Sequence, residues 1–369
     1  MKAVAVYPRL RELRLIECDE PKITEPTQAK LRMLEVGICG TDREICRFEY
    51  GTPPPDSEYL ILGHESLGEV VEVGSAVDNL RVGDLVVTMV RRPCPHPHCR
   101  PCRTGHQDFC RTGDFTERGI KGLHGFMAEY VVDDSRYMYQ VPADQRDVGV
   151  LVEPGTIAAK ALFQTLSILR RLPWVDRTSL REPHDRTYKA LVLGAGAVGL
   201  LGAMALRNNG FATYVYDRSP APNPKSQLVQ SIGATYVAQE SSRQFAHLVG
   251  DVDLVYEATG ASRLAFQAMR VLGPNSIFIF TGVPGQKPPS DVDTDFIMRN
   301  AVLKNQVILG TVNAGPEAFL ATIEGLGAFR GRWPGAAESL ITHRYPLEDF
   351  KEPLVGGASG DIKSVLTFH

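Results

Sequence analysis

Apolar residues along this chain change their spacing near residue 189. Before about residue 143, short runs at 2–7, 29–36, 68–73 and 85–88 are punctuated by glycine and proline, the pattern of an all-β, barrel-like unit. From 189 onward the rhythm becomes strand then helix. Runs at 190–193, 213–216, 254–256, 277–281 and 307–309 predict strands with helical segments between several of them, which together predict a doubly wound parallel sheet. The stretch 171–186, rich in proline and charge, reads as a connector. Two proline-rich patches, 52–56 and 93–101, read as loops, the second excluding regular helix or strand. After Asn313 a helical stretch and a short tail, 363–368, are expected to return to the first domain and close a cleft. The predicted division is therefore 1–187, 188–312 and 313–369.

Composition narrows the class without naming a function. A chain of 369 residues with 43% hydrophobic positions is long enough to build two cores. A net charge of -3 offers no broad basic face for nucleic acid, and no run of 18 apolar residues is present to span a membrane. Neither partner is expected. Residues 1–8 show no charged leader followed by an apolar run, so a reducing, cytoplasmic setting is the expectation.

The most ordered motif follows the run at 188–193. There Gly194-Ala195-Gly196-Ala197-Val198-Gly199 leads directly into the apolar, helix-forming stretch 200–206, giving G-x-G-x-x-G between a strand and a helix. The first glycine allows a tight turn, the second lets a pyrophosphate approach the backbone, and the third permits close packing of the helix. A second predicted strand ends at Asp217, about 20 residues on, where an acid accepts from the ribose 2'-OH of a dinucleotide. Asp217 favours NAD. The adjacent Arg218 keeps NADP open as a second acceptor.

Two cysteine settings point to metal. Cys39, between Ile38 and Gly40, His64 and Glu65 in Gly63-His64-Glu65, and Glu153 before Pro154 provide sulfur, nitrogen and oxygen donors of the kind that form an open zinc site. Taken singly, Cys39 also reads as a small buried hydrophobe and His64 as a satisfied core histidine. Cys94, Cys99, Cys102 and Cys110 lie within 17 residues and suggest a closed tetrahedral zinc; disulfides are the rival reading.

These residues carry a resemblance. With Gly40-Thr41-Asp42-Arg43-Glu44-Ile45, Val90-Arg91-Arg92-Pro93, Thr112-Gly113-Asp114-Phe115, Gly119-Ile120, Gly125-Phe126-Met127 and Gly310-Thr311-Val312-Asn313, the chain resembles the zinc-dependent medium-chain dehydrogenases. Within them it looks most like the glucose (aldose) 1-dehydrogenases. The resemblance implies an α/β protein: a β-rich GroES-like catalytic domain plus a Rossmann domain, joined as a homodimer or homotetramer. It places a catalytic zinc on Cys39, His64 and Glu65 or Glu153, and a structural zinc on the four clustered cysteines. Thr41 would sit beside the reacting oxygen, and Glu117, Glu153 and Asn313 would contact the sugar. Alone, Glu117 reads as a solvated loop charge. The cofactor would meet Gly194, Gly196, Ala197, Val198, Gly199, Asp217, Arg218, Thr259, Gly282, Thr311 and Asn313.

The implied reaction is hydride transfer from C1 of an aldose, such as glucose, galactose or xylose, to NAD or NADP, giving the aldonolactone. A zinc-dependent alcohol, polyol or threonine-type dehydrogenase is the alternative. A non-catalytic nucleotide-binding protein is a third. Two departures bear on the choice. Four residues separate Cys94 from Cys99 where the family has two, which brings His96 and His98 into question as ligands. After Pro154, Gly155-Thr156-Ile157 lacks an acid that some relatives use on the sugar. Apolar residues 277–280 are where pairing across a two-fold axis is expected.

Overall fold

The strand register at the start of the chain decides where the chemistry sits. The structure, a computed structural model, describes residues 1–175, 187–239, 249–285, 289, 291–357 and 360–368. It divides into two units, each described here by itself. The first comprises Met1–Thr156, Asn313–Ala328 and Ala337–His369. Its largest sheet has seven strands, of which Gln28–Gly37 is central: Glu65–Val73 pairs with it antiparallel on one side and the C-terminal strand Lys363–Thr367 on the other. Alternate residues Ala29, Leu31 and Met33 of that strand are fully buried with Val70, Phe126, Met127 and Leu366. Each of these side chains other than Ala29 contributes about 1.5–3 kcal/mol relative to exposure.

The strands expected at 2–7 and 85–88 are observed as Lys2–Tyr7 and Leu85–Thr88. The strand expected at 68–73 starts earlier, at Glu65. Its first residues, Glu65 and Ser66, are buried although polar, and an apolar pattern does not register them. The region 93–101 is not wholly irregular. A single helical turn, Arg100–Arg103, forms there with Pro101 in its first turn, where a missing N–H costs nothing.

The second unit comprises Ile157–Val312 and Phe329–Ala336. Six parallel strands run in the spatial order Thr235–Ala238, Ala212–Asp217, Lys189–Leu193, Val252–Glu257, Leu272–Phe280, Val307–Gly310. Numbered along the chain that order is 3-2-1-4-5-6, the doubly wound arrangement with its switch point beside the first strand. Residues 190–193 are fully buried, as a strand covered on both faces requires.

The end of the first stretch of unit one differs from expectation. The helix Val152–Leu169 was not apparent in the apolar spacing, and from Ile157 its residues belong to the second unit rather than the first. Ala158, Ala161, Leu162 and Thr165 border a small void with Gly202, Leu206, Leu254 and Tyr256, so this stretch packs on the parallel sheet. Of the expected connector 171–186, residues 176–186 lie outside the described residues. The strand containing 277–280 is interior, paired with Val252–Glu257 and Val307–Gly310, so it has no free edge for a two-fold partner.

Candidate active site

Cys39 stands at the N-cap of the helix Gly40–Cys46, and Asp42 three residues later folds back to it. The Cys39 N–H donates to Asp42 Oδ2 at 2.8 Å, which fixes the thiol-bearing residue against the first helical turn. The other oxygen, Asp42 Oδ1, lies 3.3 Å from His64 Nδ1. Both atoms are buried, and neither finds a well-formed hydrogen bond among the described residues. This is the carboxylate–histidine arrangement that orients a metal ligand, with Nδ1 turned to the acid and Nε2 left for the metal. Ligand atoms of Cys39, His64 and Glu65 all lie within 4.8 Å of one another. The donor set fits a zinc ion.

The sheet register explains why Glu65 is there. Gly37 pairs with Glu65 on one side and Val365 on the other. A Cβ on Gly37 would meet Glu65 Oε2 at 2.1 Å, so only glycine leaves room for that carboxylate. From the same strand as Val365, the buried Lys363 donates to Glu65 Oε1 at 2.7 Å, to Oε2 at 2.6 Å and to the Ile38 carbonyl at 3.0 Å. Glu153, second residue of its helix, is buried nearby. Burial pushes its carboxyl up to about 7; His64 and Lys363 pull down while Glu65 and Asp42 push up. Burial opposes a charge on His64, yet Asp42 and Cys39 raise its pKa well above the ordinary range. Every acid in the cage favours a cation within it.

Glu117 is not the solvated loop charge that composition suggests. It is buried, in the short strand Thr116–Arg118, and its Oε1 accepts from Arg91 Nε at 3.0 Å and Asn313 Nδ2 at 3.0 Å. Arg91 also donates to the Asp108 carbonyl at 3.2 Å and stacks over Phe115 at 3.7 Å. Among the described residues no hydrogen bond reaches Glu117 Oε2. Thr41, half-buried, follows Cys39 in the first helical turn.

Cys94, Cys99, Cys102 and Cys110 form the second cluster, their sulfurs within 4.8 Å of one another and none disulfide-bonded. Burial opposes ionisation of Cys110, but hydrogen bonds from Thr112 and the Gly113 backbone bring its thiol down to about 6. His96 Nε2 is 2.8 Å from Asp114 Oδ2, turned to an acid instead of the cysteines. Four thiols without a histidine fit a closed tetrahedral site.

In the second unit, Gly194 has φ +107, and a Cβ on Gly199 would meet the Gly194 carbonyl at 2.0 Å. Gly196, the exposed N-cap of the helix Ala197–Asn208, has nothing within 4 Å of where a Cβ would stand, so it leaves open the backbone at the helix start, which Ala197 and Val198 continue and where a pyrophosphate would lie. Asp217 ends its strand with its carboxylate accepting from Ala195 N at 3.3 Å and Ser219 N at 2.9 Å, and Lys225 Nζ is 3.6 Å away. Burial opposes its charge, but the Ser219 backbone N–H and Lys225 hold it below the usual carboxylate range. Arg218 is exposed. Thr259 and Gly282 lie on the loops after adjacent strands, and Thr311 Oγ1 is buried without a partner among the described residues. These groups fit a dinucleotide.

Residues 146–368 match the family model described as glucose dehydrogenase C-terminus, and residues 25–143 match the alcohol dehydrogenase GroES-like domain. Over 366 residues the chain is 38% identical to glucose 1-dehydrogenase of Methanocella arvoryzae, covering 98% of each. The chain belongs to the zinc-dependent glucose dehydrogenase family. A second member, glucose 1-dehydrogenase 1 of Caldivirga maquilingensis, is 40% identical over 375 residues, covering 100% of this chain and 99% of that one. The Haloferax mediterranei glucose dehydrogenase, solved in complex with NADP, Zn and gluconolactone, superposes with a TM-score of 0.88 at 31% identity, covering 100% of this chain and 99% of that one.

For this family member, two residues of the metal cage escaped the sequence reading. Asp42 was visible as a capping acid three residues after Cys39. Lys363 gave no local signal, because only sheet register brings it to Glu65.

Proposed function

We propose that this chain oxidises an aldose, glucose foremost, at C1 to the aldonolactone, with zinc on Cys39, His64 and Glu65 and with Glu153 as the adjoining proton-holding acid. Family membership supports the reaction, and the observation that carries the substrate class is Glu117. A buried carboxylate with one oxygen held by Arg91 and Asn313 and the other free is an acceptor set for a sugar hydroxyl. A simple alcohol would leave it unpaired, at a cost that discriminates against such substrates.

Zinc held in the cage supplies Lewis-acid stabilisation to an oxygen that is losing its proton, and the dinucleotide supplies the hydride acceptor. Thr41, two residues after Cys39 in the same helical turn, relays the proton of the C1 hydroxyl, accepting it as its own hydroxyl proton passes on to water. Glu153, whose carboxyl burial pushes above the ordinary carboxylate range, is the adjoining acid that exchanges this proton. Glu117 Oε2 fixes a second hydroxyl, so that C1 is held in one orientation. Asn313, at φ +56, uses its amide to steady Glu117 and its Oδ1 to accept from Ala314 N. Cys94, Cys99, Cys102 and Cys110 hold the structural zinc.

Asp217, anchored by two backbone N–H groups, supports a preference for NAD over NADP, since a fixed carboxylate repels a 2'-phosphate. Seven free cysteines, four of them in a metal-type cluster, support a reducing, cytoplasmic setting. A homodimer is supported by the strand Val307–Gly310, which among the described residues is paired on one side only; it carries exposed Ile308 and follows exposed Val302 and Leu303.

A substrate panel tests the reading: glucose, galactose, xylose, sorbitol, threonine and ethanol with each dinucleotide. Glucose should give the highest kcat/KM, with NAD ahead of NADP and acid released as the lactone hydrolyses. Faster turnover of sorbitol, threonine or ethanol would overturn the aldose assignment.

A further inference from the structure

Glu257 ends a central strand of the parallel sheet, Val252–Glu257, and is almost wholly buried. Its surroundings are unusual for a carboxylate because every donor that reaches it comes from a loop at the carboxyl end of the sheet. Oε1 accepts from Thr259 N at 2.7 Å, from Thr259 Oγ1 at 2.5 Å and from Gly260 N at 2.8 Å. Oε2 accepts from Gly282 N at 3.2 Å, on the loop after the neighbouring strand Leu272–Phe280. Its own carbonyl takes the Thr281 N–H at 3.0 Å and the Thr281 hydroxyl at 2.6 Å. One side chain thus staples two loops.

The Thr259 loop borders the dinucleotide turn, and the Gly282 loop borders the Thr259 loop. A Cβ on Gly194 would meet Thr259 Cγ2 at 2.7 Å, and a Cβ on Gly282 would meet the Gly260 N at 2.1 Å. The Thr259 loop is pressed against the glycine turn on one side and against the Gly282 loop on the other. In open α/β sheets the ligand lies outside the carboxyl ends of the strands at the switch point, which here is the rim these loops form.

We infer that Glu257 is a positioning residue for the dinucleotide: it sets the Thr259–Gly260 and Gly282 loops as one rigid wall of the cofactor site. The inference rests on the reading of that rim as the cofactor site. Charge and geometry both matter. In Glu257→Gln the retained oxygen still serves Thr259 and Gly260, but the new amide NH2 faces the Gly282 N–H, donor against donor. The substitution is isosteric and releases one loop while keeping the other.

The test measures the dissociation constant of NADH and NADPH by fluorescence titration of the full chain, together with glucose turnover, zinc content and melting temperature. Glu257→Gln should weaken dinucleotide binding roughly tenfold or more, the effect of losing a buried hydrogen bond to a charged group. Its kcat at saturating dinucleotide and its KM for glucose should stay within about threefold of the parent, with both zinc ions retained. Glu257→Asp, which keeps the charge, should recover part of the affinity. Gly196→Val, which fills the open backbone of the glycine turn, separates the two readings. Loss of binding in Gly196→Val with parental binding in Glu257→Gln overturns the role of Glu257 alone. Parental binding in both overturns the cofactor site itself. A lower melting temperature in Glu257→Gln with unchanged dinucleotide affinity makes the residue purely structural and also overturns the inference.

Discussion

Two clusters in the first unit offer metal ligands, and they are built in opposite ways. The Cys94, Cys99, Cys102 and Cys110 group comes from one short irregular segment, uses four identical soft donors, and leaves the nearby His96 to Asp114. The Cys39, His64 and Glu65 group is assembled from a helix N-cap and, 25 residues on, the start of a strand and the residue before it; it mixes three donor types and is enclosed by buried Asp42, Glu153 and Lys363. A saturated set of thiolates holds a metal in place and offers nothing to a substrate. A mixed set with titratable neighbours keeps a coordination position and proton acceptors available. On the proposed function, one cluster serves stability and the other chemistry.

The sharpest way to break that contrast is to remove one ligand from each. His64→Ala should lower kcat/KM for glucose by on the order of 10³ or more, because stabilisation of the charge developing on the reacting oxygen is lost. Its melting temperature should stay near that of the parent and one of two zinc ions should remain, as read by metal analysis and calorimetry. Cys102→Ala should behave the other way, melting roughly 5–10 °C lower, since the lobe loses a bond that organises its fold. Its freshly folded form should turn over at a rate close to the parent. Asp42→Asn is a finer probe. It keeps an acceptor for the Cys39 N–H but weakens the charge behind His64, so zinc affinity at the first cluster should fall roughly 10–100-fold in competition with a chelator. Unchanged affinity would mean that Asp42 only caps the helix.

The same contrast governs what could be read before the fold was known. Four cysteines within 17 residues and a glycine turn followed by an acid are local patterns, and the structure brings each of them together. The catalytic cage is not local. Cys39, His64 and Glu65 are visible as unusual residues, but Lys363 reaches Glu65 only through the pairing of three strands, which no spacing encodes. Glu117 was named only through the resemblance, for the same reason: by itself a charge in a short, glycine-flanked segment looks solvated until Arg91 and Asn313 close over it. The helix Val152–Leu169 was missed because Pro154 and Gly155 fall in its first turn, where they are tolerated, yet they read as punctuation.

Stepwise zinc removal is the most direct test of the division of labour. The parent enzyme is treated with a chelator while zinc content, glucose oxidation and melting temperature are followed on the same samples. Loss of the first equivalent should abolish turnover and leave the melting temperature nearly unchanged, and loss of the second should bring the melting temperature down. Full turnover with one zinc remaining, or activity and melting temperature falling together from the start, would contradict it.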